Sequence, residues 1–425
     1  MGLGDLKKAD LKNIWHPFSP LGGREPLMVK KAKGVYLYTP DGRKIIDAIS
    51  SWWVNIHGHA HPKIAKAVGK QAKRLEQVIF AGFTHEPAAR LSKTLMRILP
   101  KNQGKIFFSD DGSTSVEVAL KLAIQYWHNQ GIQRKEIIAI EGAYHGDTFG
   151  SMSIGDRGVF SMPFFDYLFE VKFVPFPEGD GQNAINAMKE IVSENTAAFI
   201  FEPLVQGASG MRMYSADVLD NLIGLVQEKG GICIADEVMT GFGRTGKTFA
   251  TDYLQNVPDI YCMSKGITGG FLPMGVTSAS KSIVEAFDED VAAKTFFHGH
   301  SYTANPLACA AANASMSLLL KKKTQDNIRR ISSKHQEFLS DFEQPDFVAD
   351  VRSQGTILAI EIAADDAGYV SKIKEKIYDF FLAKDLLVRP LGNVIYLIPP
   401  YIITNEELDL IYEAINDFME VLKSK

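Results

Sequence analysis

The chain has 425 residues, more than one ordinary core accommodates, so two domains or one large domain with a smaller companion are expected. With 46% hydrophobic and 23% charged residues and a formal net charge of −4, it has an ordinary globular make-up and no bulk field to draw it to nucleic acid or an anionic membrane. Its three cysteines, Cys233, Cys262 and Cys309, lie far apart in apolar or alanine-rich surroundings, a sparse and odd set that points to reduced thiols and a cytoplasmic setting.

The opening MGLGDLKKADLKN lacks the apolar run of a signal peptide, Leu6 breaks the myristoylation pattern, and no stretch reaches the ~20 apolar residues of a membrane span. GVYLYTPDGRKIIDAIS predicts a β-hairpin turning at Asp41-Gly42. HGHAHP (57–62) sets His57, His59 and His61 at alternate positions, which on a strand would share one face and suit a metal. Gly58 and Pro62 instead suggest a turn into the helix PKIAKAVGKQAKRL, and no nearby cysteine or carboxylate completes a shell, so no metal is expected.

From residue 105 strands and helices alternate. KIFFSD (105–110) predicts a strand, followed by a helix in which Val116, Ala119, Leu120, Ala123 and Trp127 share one face. EIIAIEG (136–142), AAFIFEP (197–203), GICIADEV (231–238) and PDIYCMSKG (258–266) are further apolar runs, with the helical SADVLDNLIGLVQEKG (215–230) among them. Nearly continuous apolar strands separated by helices predict an α/β domain with a mostly parallel sheet buried on both faces, with active groups at the strands' carboxyl ends. After about residue 310 the texture changes. NIRRISSKHQEFLSDF is helical, VRSQGTILAIEIA (351–363) and NVIYLIPP (393–400) predict strands of a smaller sheet, and Thr404 with Glu407 forms a capping box opening the last helix. The two chain ends, residues 1–55 and 311–425, are expected to form a small domain flanking a large one over 56–310.

The strand ends carry the chemistry. FFSDDGSTS passes from strand to helix, and its backbone N–H groups with the hydroxyls of Ser113 and Thr114 suit a phosphate; a plain helix cap is the alternative. Asp236 and Glu237 end a very apolar strand and, being successive, face opposite sides of the sheet and do different jobs. Each needs a partner if buried, and a structural salt bridge is the plain alternative. Lys265 ends the next strand; with little solvent its charged form loses stabilisation, its pKa falls, and the neutral amine becomes a nucleophile for aldehydes. Tyr144 and His145, in EGAYHGDTFG, follow another strand, where an aromatic either stacks on a flat ring or covers core. Phosphate cradle, carboxylate and amine together are what pyridoxal phosphate requires. GFGRTG (241–246) fits the glycine pattern of dinucleotide sites, but KTFATDYLQNVPD after it has no helical period and five residues separate it from the strand body, so no dinucleotide is expected.

DDGSTSVEVALKLAIQYW, GAYHGDTFG, EPLVQGASGM, ADEVMTGFGRTGKTFA, SKGITGG and HGHSYTANPLACAAA together resemble the class III (ω-type) aminotransferases of fold type I, from about residue 13 to the C-terminus. The resemblance implies a pyridoxal 5'-phosphate enzyme with Lys265 as the Schiff-base lysine, Asp236 as the partner of the pyridine nitrogen, Tyr144 over the ring and Val238 beneath it. Gly112 and Ser113 match the phosphate-binding turn. It implies a homodimer in which a hydroxyl from the neighbouring subunit, here Ser301 where threonine is common, reaches the phosphate, with Gly299 nearby. IWHPF, SSWWVNIHGH, EPLVQGASGMRMY and VRPLGNVIYLIPPYII are similar to the branch that aminates 8-amino-7-oxononanoate with S-adenosylmethionine as donor in biotin synthesis. By that likeness Arg389 pairs with the keto acid's carboxylate, Trp52 and Trp53 form an aromatic wall suited to an aliphatic chain or a sulfonium, and Tyr396 and Arg244 are further pocket positions. Phe18 stands where the family often has tyrosine, a lost hydroxyl that bears on the donor, since some relatives use lysine. Rival readings are a class III enzyme for ornithine or 4-aminobutyrate, a racemase or mutase on the same scaffold, and a non-catalytic descendant; intact Lys265, Asp236 and Tyr144 argue against the last.

Overall fold

The computed structural model describes residues 2–158, 161–288, 291–364, 368 and 371–424. Its centre is a seven-stranded sheet in the order Gln103–Ser109, Gly275–Ser280, Ile260–Met263, Ile232–Asp236, Thr196–Phe201, Glu136–Ile140 and Lys172–Val174. Strand Gly275–Ser280 runs antiparallel to both its neighbours, and the remaining pairings are parallel. Alternation decides which residue faces which layer. Phe199, Phe201, Cys233, Ala235, Tyr261 and Met263 join one buried apolar cluster; Ala198, Ile200, Ile232, Ile234, Ile260 and Cys262 join a second on the opposite face. Each fully buried Ile or Phe contributes ~1.5–3 kcal/mol by leaving water, so both faces hold helices against the sheet.

Every apolar run expected in this region forms a strand. Gly275–Ser280, GVTSAS, was not expected. Its small polar side chains are buried because each finds a partner: Thr277 Oγ1 donates to the Ser115 carbonyl at 2.7 Å and Ser278 Oγ to Gln103 Oε1 at 2.6 Å. The hairpin at Asp41-Gly42 is present, with Tyr36–Tyr38 antiparallel to Lys44–Asp47. The latter strand also pairs in parallel with Leu386–Leu387, which brings the two ends of the chain into one four-stranded sheet. Val348–Gln354, Ile357–Ile362 and Val394–Leu397 make a separate antiparallel sheet, and Thr404 and Glu407 cap the final helix, Asn405–Lys423. No helix among the described residues is long and apolar enough to cross a membrane.

Candidate active site

Strand Ile232–Asp236 delivers Asp236 to the carboxyl edge of the sheet, strand Ile260–Met263 delivers Lys265 two residues beyond its end, and strand Gln103–Ser109 leads into helix Gly112–Asn129. Their ends border one cavity of about 650 Å³, shared by Ser113, Tyr144, Glu202, Val238 and Trp53. The parallel topology makes this convergence: strands pointing the same way end on the same side, with irregular backbone free to carry side chains there.

Asp236 is almost wholly buried, with Oδ2 2.7 Å from His145 Nδ1 and Oδ1 accepting the Val238 N–H at 3.0 Å. His145 Nε2 is buried with no partner. Glu237 faces the opposite side, as its position predicts: Oε2 accepts from Thr240 Oγ1 at 2.6 Å, and Oε1 accepts from the Thr251 N–H and hydroxyl at 2.8 and 2.9 Å. Burial raises its pKa to about 7, an anchor for the loop rather than a group exposed to the cavity.

Lys265 opens a short 3-10 turn with φ +43°, in the left-handed region disfavoured for residues other than glycine. Its Nζ lies 4.7 Å from the centroid of the Trp53 ring. Burial pulls the ammonium below its ordinary pKa and Arg244 adds to this, while Asp236 and Glu202 pull the other way.

At the helix start, a Cβ on Gly112 would sit 2.6 Å from Val238 Cγ1, so only glycine allows that approach. Ser113 Oγ pairs with Thr148 Oγ1 at 2.7 Å and accepts its N–H at 3.1 Å, beside Gly146. Thr114 corrects the expectation of a second phosphate-facing hydroxyl. Its Oγ1 accepts the Asp111 N–H at 3.1 Å, and Asp111 Oδ1 accepts its N–H at 2.7 Å, a capping box that turns the side chain back on the chain.

Tyr144 lines the cavity, and its N–H donates to Glu202 Oε1 at 3.0 Å. Burial, with Asp147 beside it, holds its hydroxyl protonated. Glu202 was not singled out. Its Oε2 accepts the Gly207 N–H at 2.9 Å, and burial chiefly, with Asp236 adding and His145 opposing, raises its pKa to about 7. Its signal was in AAFIFEP, an acid ending an apolar strand, the same feature that drew notice to Asp236.

The expected substrate positions divide. Trp53 lines the cavity, and its Nε1 donates to the Tyr396 hydroxyl at 3.0 Å. Trp52 does not line it. Its ring takes the Arg389 guanidinium at 4.4 Å and the edge of Phe18 at 5.4 Å, next to a second cavity of about 640 Å³ lined by Phe18 and Arg389. Arg244 corrects the expectation of a pocket contact. It is fully buried, its Nη1 donating to the Pro399 carbonyl at 2.8 Å and its Nη2 to the Trp53 carbonyl at 2.9 Å. It fixes the backbone of the turn Ser50–Trp53, where Ser50, Ser51 and Trp53 all have positive φ. Ser301 and Gly299 are exposed and outside this chain's cavity, the Ser301 carbonyl accepting from Gln77 Nε2 at 2.6 Å.

The three histidines go three ways. His57 Nε2 meets the Ser315 carbonyl at 3.0 Å, His59 Nε2 meets Asp47 Oδ2 at 2.7 Å, and His61 caps helix Pro62–Ala72. Asp47 is a carboxylate the sequence did not place beside them. Among the described residues no group of His, Cys, Asp or Glu is arranged to hold a metal. GFGRTG lies in turns and opens no helix.

A family model described as Aminotransferase class-III matches residues 19–419. The adenosylmethionine-8-amino-7-oxononanoate aminotransferase of Synechococcus elongatus is 48% identical over 419 residues, 96% of this chain and 98% of its own. Among solved structures, the adenosylmethionine-8-amino-7-oxononanoate aminotransferase of Methanocaldococcus jannaschii superposes with a TM-score of 0.92 at 34% identity, covering 98% of this chain and 99% of that one. An amine transaminase of an uncultivated Pseudomonas species, in its PLP-bound form, gives 0.88 at 28% identity, covering 95% and 97%.

Proposed function

The chain belongs to the class III aminotransferases, and on that premise we propose that it moves an amino group from S-adenosylmethionine to 8-amino-7-oxononanoate, giving the 7,8-diamine used for biotin. Its cofactor is pyridoxal 5'-phosphate. The observation that carries the reading is the meeting of a buried amine of lowered pKa, Lys265, with the His145-paired carboxylate of Asp236 at adjoining strand ends, around a cavity that a helix N-terminus enters.

The residues present fit that group. The cavity of about 650 Å³ has an amine at one wall and the start of helix Gly112–Asn129 at another, with an apolar side chain, Val238, and an aromatic, Tyr144, to hold a flat ring between them. Pyridoxal phosphate supplies an aldehyde that condenses with amines and a cationic ring that takes up electrons. Asp236 would hold a proton at the ring nitrogen, and His145, 2.7 Å away, keeps Asp236 in place. The helix start at Gly112 and the Ser113 hydroxyl would bind the phosphate. Lys265 would hold the aldehyde and, when an incoming amine frees it, would be placed to take the substrate's Cα proton and give it back, as base and then acid. Trp53 walls off water.

Arg389 orients the acceptor. Its guanidinium, 4.4 Å over the Trp52 ring, would present a fork to the keto acid's carboxylate and fix the register of the nine-carbon chain. Replacing Arg389 by alanine should weaken the keto acid by roughly 10- to 100-fold, the value of a hydrogen-bonded charge, and the donor far less. Separate titrations of the two half-reactions measure this, and equal losses in both would refute the anchoring role.

A homodimer with shared sites accounts for Ser301 and Gly299, which would serve the neighbouring subunit. Ile79, Phe83, Phe297 and Tyr302, each at least 61% exposed, are side chains such a partner would cover. Residues 1–55 and 311–425 would form the small domain of each subunit and 56–310 the cofactor-binding one, in a cytoplasmic enzyme.

Phe18 bears on the donor. Its ring packs edge-on against Trp52, and it offers no hydroxyl to the reacting amine. The test is to supply 8-amino-7-oxononanoate with S-adenosylmethionine or with lysine in separate reactions and follow the diamine by mass spectrometry. Diamine from adenosylmethionine is expected; diamine from lysine alone reassigns the donor, and none from either moves the chain to another ω-amine.

A further inference from the structure

The loop carrying Phe18, HPFSPLGGREP, forms no regular element, and its conformation has to be held by side chains. Arg24 is the one that reaches furthest. Its Nη2 donates to Glu375 Oε2 at 2.8 Å, its Nη1 contacts the Asp379 carboxylate, and its guanidinium carbon lies 4.6 Å over the Tyr378 ring. All three partners sit on helix Ile373–Ala383, more than 350 residues along the chain. Glu375, Tyr378 and Arg24 line the same cavity as Phe18 and Arg389.

We propose that Arg24 is a positioning residue: clasped to helix Ile373–Ala383, it holds Phe18 against Trp52, and Trp52 in turn seats the Arg389 guanidinium for the acceptor's carboxylate. The backbone of residues 18–24 joins Arg24 to Phe18, and side-chain contacts carry on from there. Arg24 fixes the loop, Phe18 meets Trp52 edge-on at 5.4 Å with an interplanar angle of 70°, and Trp52 takes Arg389 on its face at 4.4 Å. A lone surface ion pair contributes little, and these groups are 39%, 67% and 62% exposed for Arg24, Glu375 and Asp379. Here one guanidinium serves two carboxylates and a ring, and it ties to helix Ile373–Ala383 a loop with glycines at 22 and 23 whose ends are also held to the first helix, through Lys7–Glu25 at 2.8 Å and Asp10–His16 at 2.9 Å. The inference rests on the acceptor role proposed for Arg389.

The test measures both half-reactions of the cofactor-loaded enzyme. Arg24→Gln should raise the half-saturating keto acid concentration roughly three- to fivefold, the reach of a surface network, with the donor half-reaction unchanged. Arg24→Glu, set against two carboxylates, should do worse, and adding Glu375→Lys with Asp379→Lys should bring the value back within about twofold of wild type. No change in Arg24→Gln, an equal change in both half-reactions, or failure of the reversed charges to restore the value overturns the proposal. Chymotrypsin cleavage at Phe18 and Leu21 reads the clasp without any substrate. Faster cleavage in Arg24→Gln is expected, and an unchanged rate overturns the clasp. If wild-type enzyme takes no keto acid while cleavage responds as expected, the substrate assignment fails and the clasp stands.

Discussion

Replacing Lys265 by alanine will abolish turnover and leave the fold in place. The proton transfers assigned to this amine are alone worth ~10²–10⁴ in rate, and the covalent step that makes the cofactor exchange amines is lost with them. Little structural cost opposes the change. Alanine keeps the Cβ, so the strained φ of +43° is no worse than in wild type, and an ammonium leaves a site where burial already disfavours it. The same shift has a signed consequence in cofactor-free protein. A lysine whose folded pKa lies below its unfolded value of 10.5 binds its proton more tightly when unfolded, so its contribution to stability is present above 10.5 and lost as pH falls through the lowered folded value. Wild type should therefore gain stability over Lys265→Ala on going from neutral pH toward 10.5, as thermal melts will show. Borohydride reduction of the loaded enzyme, followed by digestion, should leave a pyridoxyl tag on the Lys265 peptide of wild type and none in the variant. Normal turnover by the variant, or a tag on another lysine, defeats the assignment.

What the sequence revealed, and what it hid, follows from where each signal lies. The strands ending at Asp236 and Met263 were legible because burial on both faces makes them continuous apolar runs, and the edge strand ending at Ser109 because Ile106, Phe107 and Phe108 stand together before a turn. Gly275–Ser280 was not, since its polarity is satisfied by Gln103 and Ser115, about 160 to 175 residues away. Asp236 and Lys265 were legible as charges placed where a strand should have continued. His145 was noticed without a role because its partner lies 91 residues on, and a histidine has no local pattern that names its acceptor. Thr114 was overread for the opposite reason. A hydroxyl two residues into a helix has a local donor in the capping box, here the Asp111 N–H, and the local bond won. Arg244 shows the limit of likeness between families: the position was right for the neighbourhood, but its guanidinium spends itself on the carbonyls of Trp53 and Pro399, and it shapes the wall without touching the cavity.

Asp236→Asn should cost on the order of 10³ in rate, the scale on which removal of one preorganised electrostatic group acts in a water-poor site. The amide keeps the shape of the carboxylate, and its oxygen still accepts the Val238 N–H now bonded at 3.0 Å. Its nitrogen then faces His145 Nδ1, itself a donor to the carboxylate at 2.7 Å. The imidazole resolves the clash by moving its proton to Nε2, a buried atom with no partner to lose. The variant therefore folds, and what it lacks is the negative charge that keeps the ring nitrogen protonated. A second variant separates charge from hydrogen bond. His145→Gln leaves the Asp236 carboxyl in place and offers it an amide N–H instead of the imidazole, so its loss should be far smaller, within roughly tenfold, as for one net hydrogen bond. If the two variants lose equally, the pairing with His145 matters more than the charge, and if Asp236→Asn works at near-wild-type rate, the carboxylate has no part in holding that proton. Rates measured with bound cofactor at saturation distinguish these cases, because weaker cofactor retention alone is corrected by excess pyridoxal phosphate and a missing charge is not.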